Sequence, residues 1–152
     1  DDLMNQMQEV GFCSVFMGIE SPDKATLVAT QKKQNTRRSI AESVHKIIRH
    51  GMIVNAGYIV GLDQEPGSVA AGILKCIEDT SAPIAMAGLL FALPNTQLAR
   101  RLKLEGRLEE GSETMAASSG DQCVTGLNFK TLRPREEILA DYRQIISETY
   151  SP

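Results

Sequence analysis

The chain has 152 residues, 42% of them hydrophobic, enough to bury the core of one domain. Its 16 basic and 19 acidic residues leave a net charge of −3, with no basic patch or acidic tail, which argues against a nucleic-acid partner. No apolar run is long enough to span a bilayer, and the acidic start Asp1-Asp2 does not read as a signal peptide.

Leu3, Met4, Met7 and Val10 recur at helical spacing and Gly11 follows them, which predicts a helix over 2–10. Because the chain opens on this helix, and on Asp1 rather than methionine, it reads as an excised segment. Ser14 to Glu20 is the first predicted strand. Ser21 or Asp23 can cap the next helix, 23–31, with Pro22 near its first turn. A stronger helix is predicted from about Arg38 to His50, with Ile40, Val44, Ile47 and Ile48 on one face and Gly51 ending it. Met52 to Gly61 is the second strand, Asp63 to Gly67 a loop, and Ser68 opens a helix through Ile73 and Ile77. Pro83 leads into a third strand from Ile84 to Leu93, which Pro94 stops. Thr96 caps a short helix, Leu98 to Glu105, closed by Gly106. Residues 107–133 lack periodicity and read as an irregular loop. Pro134 begins a terminal helix with Ile138, Leu139, Tyr142, Ile145 and Ile146 on one face.

Short apolar runs that break into a glycine-containing or charged loop before a helical pattern are how buried parallel strands read when their carboxyl ends meet a ligand. The expected fold is α/β, a partial (β/α) TIM-like barrel of about three parallel strands plus a C-terminal helix. The strands fall near 14–20, 53–61 and 84–92, in sequential order with right-handed crossovers, and the site lies at their carboxyl ends.

Cys13, Cys76 and Cys123 form no CxxC or CxxxCxxC spacing, so these residues encode no zinc or iron–sulfur site. An odd, scattered set points to a reducing, cytoplasmic setting. Cys13 and Cys76 sit in apolar stretches and read as buried thiols, Cys123 as an exposed one. His45 and His50 have no carboxylate at metal spacing, and the methionines read as core filler.

Three stretches carry a family resemblance: Phe16-Met17-Gly18-Ile19-Glu20-Ser21-Pro22, Gln31-Lys32-Lys33-Gln34-Asn35-Thr36, and Gly51 through Gly61 (GMIVNAGYIVG). In that order and spacing they resemble the second half of the core barrel of the radical S-adenosylmethionine (SAM) superfamily. Leu90 to Leu98 is similar to the turn after that core's sixth strand. The tail, with Gly126-Leu127-Asn128-Phe129, Tyr142 and Tyr150-Ser151-Pro152, resembles the branch that carries a cobalamin-binding domain.

The resemblance implies strands four to six of a six-stranded partial barrel over residues 1–106. An irregular loop, 107–133, and a helix of a following accessory region, 134–152, come after it. The cofactors implied are SAM and a 4Fe–4S cluster, whose CxxxCxxC ligands would lie upstream, with cobalamin as a further candidate. Glu20 and Ser21 would meet the ribose hydroxyls, Gly57 and Gly61 would let a flat ring approach the backbone, and Ile59 would pack on the adenine. Arg37, or Lys32, Lys33 or Arg38 beside it, would meet the SAM carboxylate. Some members carry Glu three residues after the second glycine, where this chain has Gln64.

Each residue also has a plainer role. Ser21 can cap a helix, Gly57 and Gly61 can serve strand bends or packing, and the Lys/Arg run reads first as a solvated face. No residue is singled out as catalytic. The expected function is a piece of a radical SAM enzyme with a small-molecule substrate. The alternatives are a piece of an unrelated TIM-barrel enzyme or a non-catalytic α/β interaction module. The segment alone is expected to be catalytically silent. It is also expected to self-associate through an inner sheet face of Val15, Met17, Ile19, Ile59 and Leu90.

Overall fold

The computed structural model of the chain describes residues 2–29, 39–109 and 126–151. Three strands, β1 (Ser14–Glu20), β2 (Ile53–Val60) and β3 (Ile84–Leu89), form one parallel sheet in sequential order. The helices are α1 (Asp2–Glu9), α2 (Lys24–Ala29), α3 (Ile40–Arg49), α4 (Ala70–Thr80), α5 (Gln97–Leu104) and α6 (Arg135–Thr149). The class is α/β, and the strand–helix alternation is that of a partial β/α barrel. Among the described residues no helix is long and apolar enough to cross a membrane.

Local chemistry sets the helix ends. Ser39 Oγ accepts from the Glu42 N–H at the start of α3, and Thr96 Oγ1 accepts from the Ala99 N–H at the start of α5. Each satisfies one amide that the first turn leaves without a partner. Gly51 follows α3 with φ +77°, a left-handed stop that glycine adopts without strain. His50 Nδ1 lies 2.7 Å from the Lys46 carbonyl oxygen in the last turn.

The strand pairing decides which residues face the helices. Val15 lies opposite Val54, Met17 opposite Ala56, and Ala56 and Tyr58 opposite Ala85 and Ala87. These positions share the covered side. Val54, Ala56, Tyr58, Val60, Ala85, Ala87 and Leu89 are buried there. Ile73 and Cys76 of α4, Leu102 of α5, and Ile138 and Ile145 of α6 close over most of them in one core. α6 packs on α4 and β3, and α3 packs on α4 and β2. Tyr58 donates its hydroxyl to Cys76 Sγ at 3.7 Å within this layer, and burial pushes the Cys76 thiol up.

The opposite side carries Phe16, Gly18, Asn55, Gly57, Ile59, Met86 and Gly88. Phe16 is 67% exposed and Met86 47%. This corrects the composition expected for the open face. Met17, Ile19 and Leu90 lie in or against the helix-covered core, and Val15 shares that side by register. Of the five residues expected on the open face, Ile59 is the one found there. Neighbouring positions on a strand face opposite ways, so choosing the wrong phase for β1 moved its whole apolar set.

Two further expectations shift. Cys13 is exposed, because Val10 and Phe12 around it are themselves exposed rather than packed. β3 ends at Leu89, short of the expected end at 92–93. Leu90 N still donates to Val60 O, but Leu90 O accepts from Leu127 N at 2.7 Å. Asn128 then takes both the N–H and the carbonyl of Ala92. The returning segment 126–129 thus takes over the backbone groups beyond β3. Leu127 and Phe129 are fully buried, and Phe129 pairs antiparallel with Leu108. The Tyr150 hydroxyl donates to the Ala85 carbonyl of β3.

Candidate functional site at the strand ends

Glu20 closes β1 in an unusual way. The ladder runs in step from Ser14 to Gly18, then skips, so that Glu20 rather than Ile19 lies opposite Tyr58. Such a bulge re-aims a side chain. Ile19 stays in the core at 1% exposure, and Glu20 takes a left-handed backbone with φ +67°. Its carboxylate folds back over Gly18 on the open face: a Cβ built on Gly18 would stand 2.8 Å from Glu20 Oε1.

Ser21 is buried, and its Oγ accepts from the Asp23 N–H at 3.2 Å. The cap of α2 is Asp23. Its Oδ1 accepts from the Thr26 N–H at 2.7 Å and the Thr26 hydroxyl at 2.6 Å, and these bonds hold its carboxyl below the usual range.

Gly57 lies beside Gly18 in the pairing, and a Cβ on it would stand 2.6 Å from Phe16 Cζ. The flat ring resting on Gly57 here is therefore that of Phe16. Ile59 is half-buried opposite Gly88, and among the described residues, chain neighbours aside, no atom lies within 4 Å of where a Gly88 Cβ would project. Gly61 is held by packing. Its φ is +99°, and a Cβ there would meet Leu127 Cδ2 at 2.8 Å and Ile138 Cγ2 at 3.4 Å. Arg37, with Lys32, Lys33 and Arg38, lies outside the described residues.

The loop after β2 is pinned by charges that sequence reasoning did not assign. Glu65 Oε1 accepts from the N–H groups of Gly61 and Leu62 at 2.8 and 2.9 Å, while Oε2 meets Arg133 at 2.8 Å. Burial pushes the Glu65 carboxyl up. Arg133 reaches on to Asp141 at 2.8 Å, and Asp141 accepts from Ser68 Oγ and from the Val69 N–H just before α4. Burial alone would raise Asp141, but the Ser68 and Arg133 bonds outweigh it and hold the carboxyl below its ordinary value. On the next turn Asp63 accepts two bonds from Arg107, at 2.6 and 2.9 Å, and one from Arg101 at 2.8 Å. Burial again opposes, and the two guanidiniums again win, holding Asp63 low. The available signal was the density of acids in Asp63-Gln64-Glu65 between Gly61 and Pro66.

On the helix layer, away from the open sheet face, a cleft of about 400 Å³ runs between α2, α3 and α4, lined by Lys24, Leu27, Ile40, Gly72, Lys75 and Asp79 among others. Among the described residues no three His, Cys, Asp or Glu side chains converge as a metal-binding group.

This chain is similar to two curated proteins over nearly its whole length. One, in Synechocystis sp. (strain ATCC 27184 / PCC 6803 / Kazusa), is named an uncharacterized methyltransferase and is 41% identical over 151 residues, 99% of this chain. The other is the hopanoid C-2 methylase of Rhodopseudomonas palustris (strain TIE-1), 32% identical over 151 residues, again 99% of this chain. The chain spans 27% of the length of each of these relatives. A family described as a domain of unknown function, DUF4070, matches residues 96–152. That match covers α5, the returning segment and α6.

Proposed function

We propose that this chain is the second half of the core barrel of a radical SAM methylase, and that the open face of its sheet takes the nucleoside part of SAM. The observation that carries the reading is the left-handed Glu20, whose carboxylate lies over Gly18 on the side of the sheet that none of the described helices covers. A carboxylate at a strand end accepts from vicinal hydroxyls. Gly88 on that face leaves open space above the backbone for a flat ring, and Ile59 opposite it offers an apolar contact. An acceptor beside an apolar, open surface suits a ribose and an adenine. The two relatives named as a methyltransferase and a methylase support a methyl-transferring parent.

In this reading Glu20 holds the ribose, with the buried Ser21 fixing the loop behind it through Asp23. Gly57, under the Phe16 ring, Ile59 and Gly61 shape the adenine side, and Arg37 meets the carboxylate of the methionine moiety. Bound there beside a reduced 4Fe–4S cluster, SAM supplies radical chemistry and the methyl group, with cobalamin as the proposed methyl carrier. The residues of this chain bind and orient. Gly61 does so indirectly, since its backbone N–H is already taken by Glu65 and it fixes the turn that follows Ile59. Residues 1–106 would be the barrel half, 107–133 an irregular loop, and 134–152 the C-terminal helix of a following accessory region. The parent would act in the cytoplasm on a small molecule, with no nucleic-acid partner. Cut from it, the chain would self-associate through Phe16 and Met86.

The test is methyl transfer by the polypeptide that carries this segment. Reconstituted anaerobically with iron and sulfide, it should move a labelled methyl group from SAM to an acceptor, and Glu20→Gln should raise the KM for SAM. A parent that uses no SAM would refute the proposal.

A further inference from the structure

We infer that Gly18 is a positioning residue for Glu20: its missing side chain lets the carboxylate lie on the open face of the sheet, where it selects ligands bearing a ribose 2′-hydroxyl. The inference rests on reading that face as a nucleoside site. Three observations converge on the pair. The bulge between Gly18 and Glu20 separates the two side chains of the strand end, sending Ile19 into the core. Glu20 holds a left-handed backbone at φ +67°, which long side chains adopt only where their surroundings impose it. And the space above Gly18 is already taken, with Glu20 Oε1 2.8 Å and Cδ 3.5 Å from where a Cβ would stand.

The consequence is specific. An alanine at position 18 meets only the far end of a flexible side chain, which can swing away at little cost to the fold. What it loses is its place. The neighbouring glycines isolate this effect. Gly57 clears space for the Phe16 ring instead, and Gly88, on the same face, has nothing within 4 Å. The control is Gly72→Ala, in α4 on the helix layer, where a Cβ would meet only Pro22 Cγ at 3.7 Å, an ordinary contact.

Calorimetric titration of the whole polypeptide that carries this segment, with adenosine and with 2′-deoxyadenosine, tests the pair. The wild-type chain should prefer adenosine by about tenfold, as the loss of one hydrogen bond to a charged group implies. Gly18→Ala and Glu20→Gln should each bring the ratio near one, the double variant should go no further, and Gly72→Ala should keep the preference. The thermal midpoint of Gly18→Ala should stay within about 2 °C of wild type. A Gly18→Ala chain that retains the preference overturns the inference and leaves the nucleoside reading standing, as does one that loses its fold. A wild-type chain that binds neither nucleoside, or both alike, overturns the nucleoside reading and the inference with it.

Discussion

Arg133 bridges Glu65 and Asp141, with 2.8 Å contacts to each, and so ties the loop after β2 to the last helix of the chain. Both carboxylates are almost fully shielded, and each also accepts backbone amides: Gly61 and Leu62 for Glu65, Val69 for Asp141. The guanidinium is what allows two acids to sit in one dry place. Removing it leaves both uncompensated, which is the costly way to break a buried pair.

Arg133→Met and Asp141→Asn are each expected to cost about 3 kcal/mol. The double variant should cost less than the sum by at least about 1 kcal/mol, because the two lose the same contact. Urea unfolding of the four proteins measures the coupling. Additive losses would mean that the bridge carries no shared energy.

Asp63 gives the pH dependence. Its carboxyl is held below its ordinary value of 3.8 when folded, the Arg107 and Arg101 contacts outweighing burial. The unfolded chain therefore takes up this proton first as pH falls, and the folded state loses the benefit of the bonds. The contribution is fully present above the unfolded value, near pH 4, and fades as pH drops through the folded one. Asp63→Asn should unfold more easily at neutral pH by about 3 kcal/mol and show a shallower loss of stability below about pH 4. Unfolding midpoints from pH 7 to pH 3 check this, and parallel acid limbs in the two proteins would contradict it.

Two glycines on opposite sides of the sheet should respond differently to the same methyl group. Gly61→Ala must strain a backbone at φ +99° and displace Leu127, so a loss of about 2 kcal/mol or more is expected. Gly88→Ala meets nothing and should fall within about 0.5 kcal/mol of wild type. Equal effects would show that the packing of segment 126–129 against β2 is not as described.

The uncovered sheet face should drive self-association at micromolar concentration. Phe16, Ile53, Ile84 and Met86 are all exposed on it. At about 25 cal/mol per Å², covering a few hundred Å² favours association by several kcal/mol before its entropic cost. Sedimentation should show a dimer or larger, weakened by Phe16→Ser with Met86→Ser. An unchanged distribution in that variant would place the contact elsewhere.

Much of the fold was legible because strand and helix periods in this chain are clean. Ser14–Glu20 and the start of β3 at Ile84 fall where alternation and Pro83 put them, and Thr96 caps α5 as its position before an amphipathic run suggests. The phase of β1 was not legible. Val15, Met17 and Ile19 are more apolar than Phe16, Gly18 and Glu20, but apolarity alone does not say which side of the sheet the helices cover. The Arg133 bridge was hidden for another reason. Its partners lie 68 and 8 residues away, and nothing local distinguishes a buried ion pair from solvated surface charges. At the candidate site the sequence pointed to Glu20 and Gly57, whereas the bulge that turns Glu20 onto Gly18 appears only once β1 is paired with β2.

On the proposed reading the open face, not the helix layer, receives the nucleoside of SAM. Amide chemical shifts of the labelled chain, followed during titration with SAM, test it most directly. Shifts are expected at Gly18, Glu20, Gly57, Ile59 and Gly88. Shifts confined to the cleft residues Lys24, Gly72 and Lys75 between the helices, or none at all, would contradict it.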